Sequence, residues 1–375
     1  MRHLNICVAP LALVLAFGSP ALGRELVYSS PVPDSHLMNS AVARRAFTHI
    51  EEQAPDTRIQ LSTGGMLASF QDALASVGQG AIDGSILNFN YYPSDLAATV
   101  FLAELNAENP LEAGPAMTET MLLHCPQCLE EQKRAGVIAL HNVSTDPSII
   151  MCHDKRVETL DQFKGLKVRG LGSMAGTVAA LGAVPVNIPA NEVYQALQHG
   201  QIDCTAQTSS NMESFGLAEV VKYATDLPLG TSNGIAILAL NRSQWDGFNA
   251  EERKVWFEAA VLATASMGVD YTETGLRIRD SAQKEKGIQY VQPDAQLSAA
   301  LAAYRERERE LQIQRAASRG VDNPAEIAAA YDRALEKWRG IVARIGDPAQ
   351  PWDDDQRSAY EKAIRDEIFL HVPLD

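Results

Sequence analysis

Basic residues are scarce in this chain of 375: Lys and Arg total 32 against 47 Asp and Glu, a formal net charge of −15. That deficit excludes nucleic acid as a partner, because holding a polyphosphate backbone needs a basic surface. A small anion is not excluded, since one buried arginine acts locally whatever the net charge. The acidic exterior serves solubility and encounter with a partner. Apolar runs long enough to span a bilayer are also absent. Ile6 to Phe17 is too short, and it lies between a weakly basic start (Arg2, His3) and the small-x-small pattern Ala21-Leu22-Gly23. This reads as a secretory signal peptide over residues 1–23, cleaved near Gly23. The mature chain is therefore expected to be exported and soluble.

Catalytic signatures are missing too. No H-E-x-x-H helix or G-x-x-x-x-G-K-[ST] phosphate loop occurs, which removes the main sequence support for zinc-hydrolase or nucleotide chemistry. Cysteines number five. Cys7 leaves with the leader and lacks the small residues of a lipid-attachment site. Cys125, Cys128, Cys152 and Cys204 remain in an oxidising compartment, where four cysteines allow three fully paired connectivities. His124-Cys-Pro-Gln-Cys128 admits three readings: a structural disulfide, a thiol-exchange pair, or half of a zinc site. No second C-x-x-C follows and the flanking strand pattern is not thioredoxin-like, so the structural disulfide ranks first. An exported thiol-disulfide oxidoreductase using Cys125 and Cys128 is the rival function.

What is present points to an α/β protein. Glu25 to Ser29 and Ile59 to Leu61 read as strands around a helix from about Ser40 to Gln53, which suggests a mostly parallel sheet. Two helix-to-strand joints echo each other: a stripe ends near Gly80 before Ala-Ile-Asp83, and another ends at Gly200 before Gln-Ile-Asp203. Their separation suggests two similar lobes. From about Ala250 to Lys284 the pattern is long-helical, with Trp256, Ala260, Leu262 and Met267 on its apolar side. Residues 294–345 are also helical, interrupted at Gly320 to Pro324, and a last helix covers Asp355 to Ile368. The charged run Arg305 to Glu310 reads as a solvated helix face.

The most informative stretch is Asp161 to Asp203. A short apolar strand, Leu166 to Val168, delivers Arg169 into the small-residue turn Gly170-Leu-Gly-Ser173. A cation at a strand exit beside glycines suits bidentate capture of a small anion. Spacing alone leaves a solvent-facing arginine as the commoner outcome.

The order of residues resembles the solute-binding proteins of TRAP (tripartite ATP-independent periplasmic) transporters. The resemblance lies in Asp161-Gln-Phe-Lys-Gly-Leu-Lys-Val-Arg169, Leu181-Gly-Ala-Val-Pro-Val186 and Glu192-Val-Tyr-Gln-Ala-Leu-Gln-His-Gly-Gln-Ile-Asp203, with weaker similarity from about residue 25 to 260. It implies a two-lobed periplasmic-binding-protein-like fold with an interlobe ligand cleft and a long bridging helix. The first lobe would take residues 24–146 and return at about 234–255, and the second would take 147–233. The helical region 256–375 would bridge and pack on both. The implied function is capture of an organic acid in the periplasm and delivery to TRAP permease subunits, without catalysis or cofactor.

Carried over, Arg169 would clamp the ligand's carboxylate. Where the family often reads G-Q-E-N after the aspartate, this chain reads Cys204-Thr-Ala-Gln207, so Gln207 is the positional substitute for an asparagine. Thr205, Ser209 and Asn211 are hydrogen-bonding candidates beside it. From the first lobe, His36 and the segment Asn88-Phe-Asn90-Tyr-Tyr92 would face them, with Tyr91 or Tyr92 stacking on the ligand or serving plain packing. Asn233 is a further candidate. Thr145 and Ser148 stand where some relatives place a second arginine, which speaks against a sugar acid demanding two cationic contacts.

Overall fold

Alternation of strand and helix along the chain gives two sheets joined through one shared strand. The computed structural model describes residues 23–374. All of the expected signal peptide except Gly23, Cys7 included, lies outside the described residues. The strands are β1 (Arg24–Ser29), β2 (Thr57–Ser62), β3 (Gly84–Asn88), β4 (Val137–Ala139), β5 (Val143–Cys152), β6 (Lys167–Arg169), β7 (Val184–Val186), β8 (Cys204–Thr208), β9 (Tyr223–Thr225), β10 (Thr231–Asn241) and β11 (Gln289–Val291). In the first sheet β2, β1 and β3 run parallel, and β10 returns antiparallel against β3 and β4. In the second, β6 is parallel to β7 and β8, while β5 is antiparallel to β8 and β9. Helical crossovers make parallel neighbours the natural outcome.

β5 joins the two sheets. Its first half pairs with β10, through Val143, Ser144 and Pro147, and Ser148 to Cys152 pair with β8. The register shifts on β10 around Asn233, and Pro147 offers no N–H to the ladder, so pairing is interrupted where the chain passes between lobes. Beyond the crossover, successive side chains face opposite cores. Ile150 and Cys152 join Phe163, Val168 and Leu181, whereas Ile149 and Met151 join Val193, Leu197 and Ile278. The first lobe has its own core, around Leu26, Phe47, Ile86 and Phe101.

The paired joints seen in the sequence are the same device built twice. Asp83 donates its N–H to the Val27 carbonyl and accepts the Val27 N–H on Oδ2 at 2.8 Å. Asp203 does the same with Lys167, again at 2.8 Å on Oδ2. The preceding glycines, Gly80 and Gly200, have φ of 74° and 68°. Each aspartate thus ties the entry of one strand to the next, once per sheet.

The helix Ala250–Lys286 opens with a capping box between Asn249 and Glu252. Its first two-thirds place Trp256, Phe257, Val261 and Tyr271 in the first core, and Ile278 and Ala282 reach the third. Leu262, expected on the apolar side, is only half-buried. The helix Ala295–Ser318 also touches both lobes, with Leu297 and Leu301 in the second core and Ala316 in the first. The helices Pro324–Ile345 and Asp354–Glu367 add Trp338, Tyr360 and Ile364 to the first core. The charged run is not wholly solvated. Glu308 is buried and accepts from Asn106, because positions 304, 308 and 312 share the inward helix face.

Asp146 sits at the crossover, buried, with Oδ1 accepting from the Ser210 hydroxyl at 3.0 Å. The long helix passes so close that a Cβ on Gly275 would lie 2.9 Å from Asp146 Oδ2. Burial pushes this carboxyl up to about 7, against hydrogen bonds that lower it. A raised folded-state value means the native state holds the proton longer than the unfolded chain. Asp146 therefore costs stability as pH rises from about 4 to 7, and the cost levels off above that. Asp146→Asn is expected to melt close to the parent at pH 4 and above it at pH 8, with at most about 4 kcal/mol at stake. Buried His36 and His141, both pushed down to about 3, weaken parent and variant alike in acid, so the difference isolates Asp146. Thermal melts of both proteins from pH 4 to 8 check this.

Candidate functional site

Arg169 is the last residue of β6, so its side chain leaves the carboxyl end of a parallel strand, where open α/β sheets bind ligands. The turn after it needs glycine. Gly172 has φ of 58°, and a Cβ there would stand 2.4 Å from Asn90 Oδ1 of the opposite lobe. The small-residue turn therefore lets the two lobes meet. Arg169 is only 5% exposed. Its Nε donates to the Ile188 carbonyl at 3.1 Å and its Nη2 to the Tyr91 hydroxyl at 3.4 Å. Among the described residues no carboxylate forms an ion pair with it. Burial pulls its pKa down, and the contact with Tyr91 opposes that. A guanidinium out of water without a counter-ion costs several kcal/mol, and three of its five N–H groups remain to be used.

Facing it is a small cavity of about 60 Å³, walled by residues from β3, β8, β10 and the long helix. From the first lobe, Tyr91 lies in the turn Phe89–Tyr91, which Asn88 caps by accepting the Asn90 N–H at 3.1 Å. The Tyr91 ring stacks on Phe70, with centroids 5.1 Å apart and planes at 21°. His36 Nδ1 accepts the Met38 N–H at 3.2 Å, which leaves the proton on Nε2, and burial keeps the ring neutral. Its edge meets Phe215 of the second lobe at 4.9 Å. Gln207 lines the cavity from β8, with Oε1 buried and without a partner. Asn211 and Thr145 complete the polar side, Thr145 already donating to the Ser232 carbonyl at 3.3 Å.

Of the expected site residues, the cavity wall thus brings together Arg169, Gln207, His36, Asn88, Tyr91 and Asn211. Asn90, Asn233 and Thr205 lie outside that wall. Asn90 donates to the Asn88 side chain at 3.0 Å and to the Asn233 carbonyl at 2.7 Å, fastening strand ends together. Asn233 donates to the Leu105 carbonyl at 3.2 Å. Thr205 shares a face with Gln207 but sits two residues deeper in β8 and is wholly buried. Ser148 is likewise outside the wall. Tyr92 is a packing residue: its hydroxyl donates to the Phe70 carbonyl and accepts the Leu74 N–H. Phe70, Phe215, Met174 and Tyr271 were not anticipated as wall residues. Phe70 precedes the helix Ala73–Gly78 and turns its ring to Tyr91.

The C-x-x-C motif is a disulfide. Cys125 and Cys128 are bonded at the start of the helix Pro126–Arg134, and the second bond joins Cys152 to Cys204 across β5 and β8. Cys125 is 1% and Cys128 0% exposed, so an attacking thiolate finds no open sulfur, and exchange chemistry needs that access.

Two lobes joined by crossover strands, with an unpaired cation in the cleft between them, make a site for an anionic solute. The family model of bacterial extracellular solute-binding proteins, family 7 (DctP), matches residues 32–313, and the chain belongs to that family. Among curated proteins, it is 42% identical over 95 residues to the C4-dicarboxylate-binding periplasmic protein DctP of Rhodobacter capsulatus, a match covering 25% of this chain and 28% of that one. The chain therefore matches little more than a quarter of that relative's length. Among solved structures, the TRAP periplasmic solute-binding protein of Bordetella bronchiseptica with bound (R)- and (S)-mandelate has a TM-score of 0.71 at 23% identity, covering 84% of this chain and 99% of that one. A marine-metagenome TRAP solute-binding protein specific for aromatic acid ligands, in complex with 3-hydroxybenzoate, has a TM-score of 0.76 at 19% identity, covering 85% and 99%. These likenesses establish the two-lobed α/β fold.

Proposed function

We propose that this protein is the exported receptor of a TRAP transporter, which holds an organic monocarboxylate between its lobes and hands it to membrane permease subunits. The observation that carries this is Arg169, buried in the cleft without an anionic partner. A ligand carboxylate would complete its fork, with the Gln207 amide assisting. Among the wall residues Arg169 is the one cation, since His36 stays neutral. A second carboxylate on the ligand would therefore go unpaired. The Phe70–Tyr91 stack and Phe215 form walls suited to a flat apolar body, in keeping with the mandelate and 3-hydroxybenzoate bound by the two structural neighbours.

On this reading the signal peptide is removed near Gly23 and the receptor works in the periplasm. The lobes, divided at the β5 and β10 crossovers, close on the acid and so create the form that the permease meets. Burial of the ligand strengthens the charge-assisted contact. The test is a thermal-shift comparison of acids with their neutral amides, after unfolding and refolding to strip any co-purified ligand. Benzoate, phenylacetate and mandelate are screened against benzamide, phenylacetamide and mandelamide. A bound acid at one hundred times its dissociation constant stabilises the folded form by ~2.7 kcal/mol. At least one acid is expected to stabilise while its amide does not. Equal stabilisation by acid and amide, or none by any acid, overturns the proposal.

A further inference from the structure

Tyr271 lies on the long helix Ala250–Lys286 and lines the same cavity as Arg169 and Gln207. It is 1% exposed, and its hydroxyl meets no hydrogen-bond partner. Tyr28 and Tyr360, equally buried, donate to the carbonyls of Ile237 and Leu111 at 2.5 and 2.6 Å. Tyr304 and Tyr331 also lack partners, but neither stands in the wall of this cavity. Asp146, whose charge reaches Tyr271, takes its hydrogen bond from Ser210 instead. Burial raises the phenol well above its usual range, so the group stays protonated and remains a donor. Gln207 Oε1, also buried and unpartnered, is an acceptor in the same wall. A buried polar group left without a partner costs ~1–3 kcal/mol, which the right ligand recovers.

The carboxylate proposed for Arg169 does not answer both of these groups. Its oxygens have lone pairs to spare for a phenol, but it has no proton to give Gln207 Oε1, so that acceptor needs another ligand group. A second ligand group that accepts from a phenol and donates to an amide oxygen is a hydroxyl. We infer that Tyr271 is a specificity-determining residue for a hydroxyl carried by the acid ligand, so that the substrate class is hydroxylated monocarboxylic acids and not their plain hydrocarbon counterparts. This rests on the anion-receptor reading above. A site built to bond a substrate hydroxyl discriminates against the analogue lacking it, because its buried polar groups are then left unpaired.

The experiment is calorimetric titration of parent and Tyr271→Phe with two matched pairs, mandelate against phenylacetate and 3-hydroxybenzoate against benzoate. The parent is expected to bind the hydroxy acid of at least one pair about tenfold or more tightly than its partner. Tyr271→Phe is expected to lose most of that advantage by weakening the hydroxy acid alone, while the plain acid binds as before. The variant deletes only an unpartnered oxygen, so its melting temperature without ligand should equal or exceed the parent's, which separates lost recognition from lost folding. No hydroxyl advantage in the parent for either pair, or an advantage that Tyr271→Phe retains, overturns the inference. Failure of all four acids to bind the parent overturns the anion-receptor reading and this inference with it.

Discussion

Arg169→Ala is expected to bind the cognate acid about 30- to several-thousand-fold more weakly, a loss of ~2–5 kcal/mol, because the ligand's charge would be left in the cleft without its partner. The same substitution should leave the ligand-free protein as stable as the parent or more so. It removes a guanidinium that is 5% exposed and unpaired, and such a charge costs free energy until something answers it. Opposite signs for binding and stability distinguish a ligand clamp from a structural arginine, whose removal would lower both. Arg169→Lys keeps the charge but loses the planar fork, and should fall between parent and alanine. Titration calorimetry with the best acid, together with melts of the stripped proteins, reads both effects.

Cys152→Ser with Cys204→Ser is expected to cost about 4 kcal/mol of stability, because the bond closes a long loop in the unfolded chain. The two cysteines are 52 residues apart and face each other across β5 and β8. The Cys125–Cys128 bond, with a separation of 3, closes a loop too short to contribute more than about half as much. Urea unfolding of the two double variants gives the comparison directly. The Cys125→Ser, Cys128→Ser variant should also bind ligand as the parent does, because that pair stands outside the wall of the interlobe cavity.

The centre of the site was legible because its logic is local. A strand exit, glycines that admit a close approach, and an arginine lie within a few residues, and Gly172 does meet the opposite lobe there. The repeated joint was legible for the same reason, since a left-handed glycine and an Ile-Asp strand entry lie within four residues at both Gly80 and Gly200, although the aspartates' bonds to Val27 and Lys167 are long-range. The long helix followed from periodicity and its Asn249 cap. The cavity walls were not legible, because Phe70, Phe215 and Tyr271 come from separate elements that only the sheet crossover brings together. Asn90 and Asn233 show the converse. Polar side chains near a site in sequence read as ligand contacts, yet at strand ends the backbone groups nearby claim them first, as Leu105 claims Asn233. Glu308 was misread for a similar reason. A charged run looks solvated until a neighbouring element covers one helix face, as Asn106 does here.

The most direct test is a crystal structure of the refolded protein with its tightest-binding acid. The account predicts the acid between the lobes, both carboxylate oxygens within hydrogen-bonding distance of the Arg169 guanidinium, and the body of the ligand against Phe70, Tyr91 and Phe215. An acid group held elsewhere, with Arg169 still bonded only to Tyr91 and the Ile188 carbonyl, would contradict it.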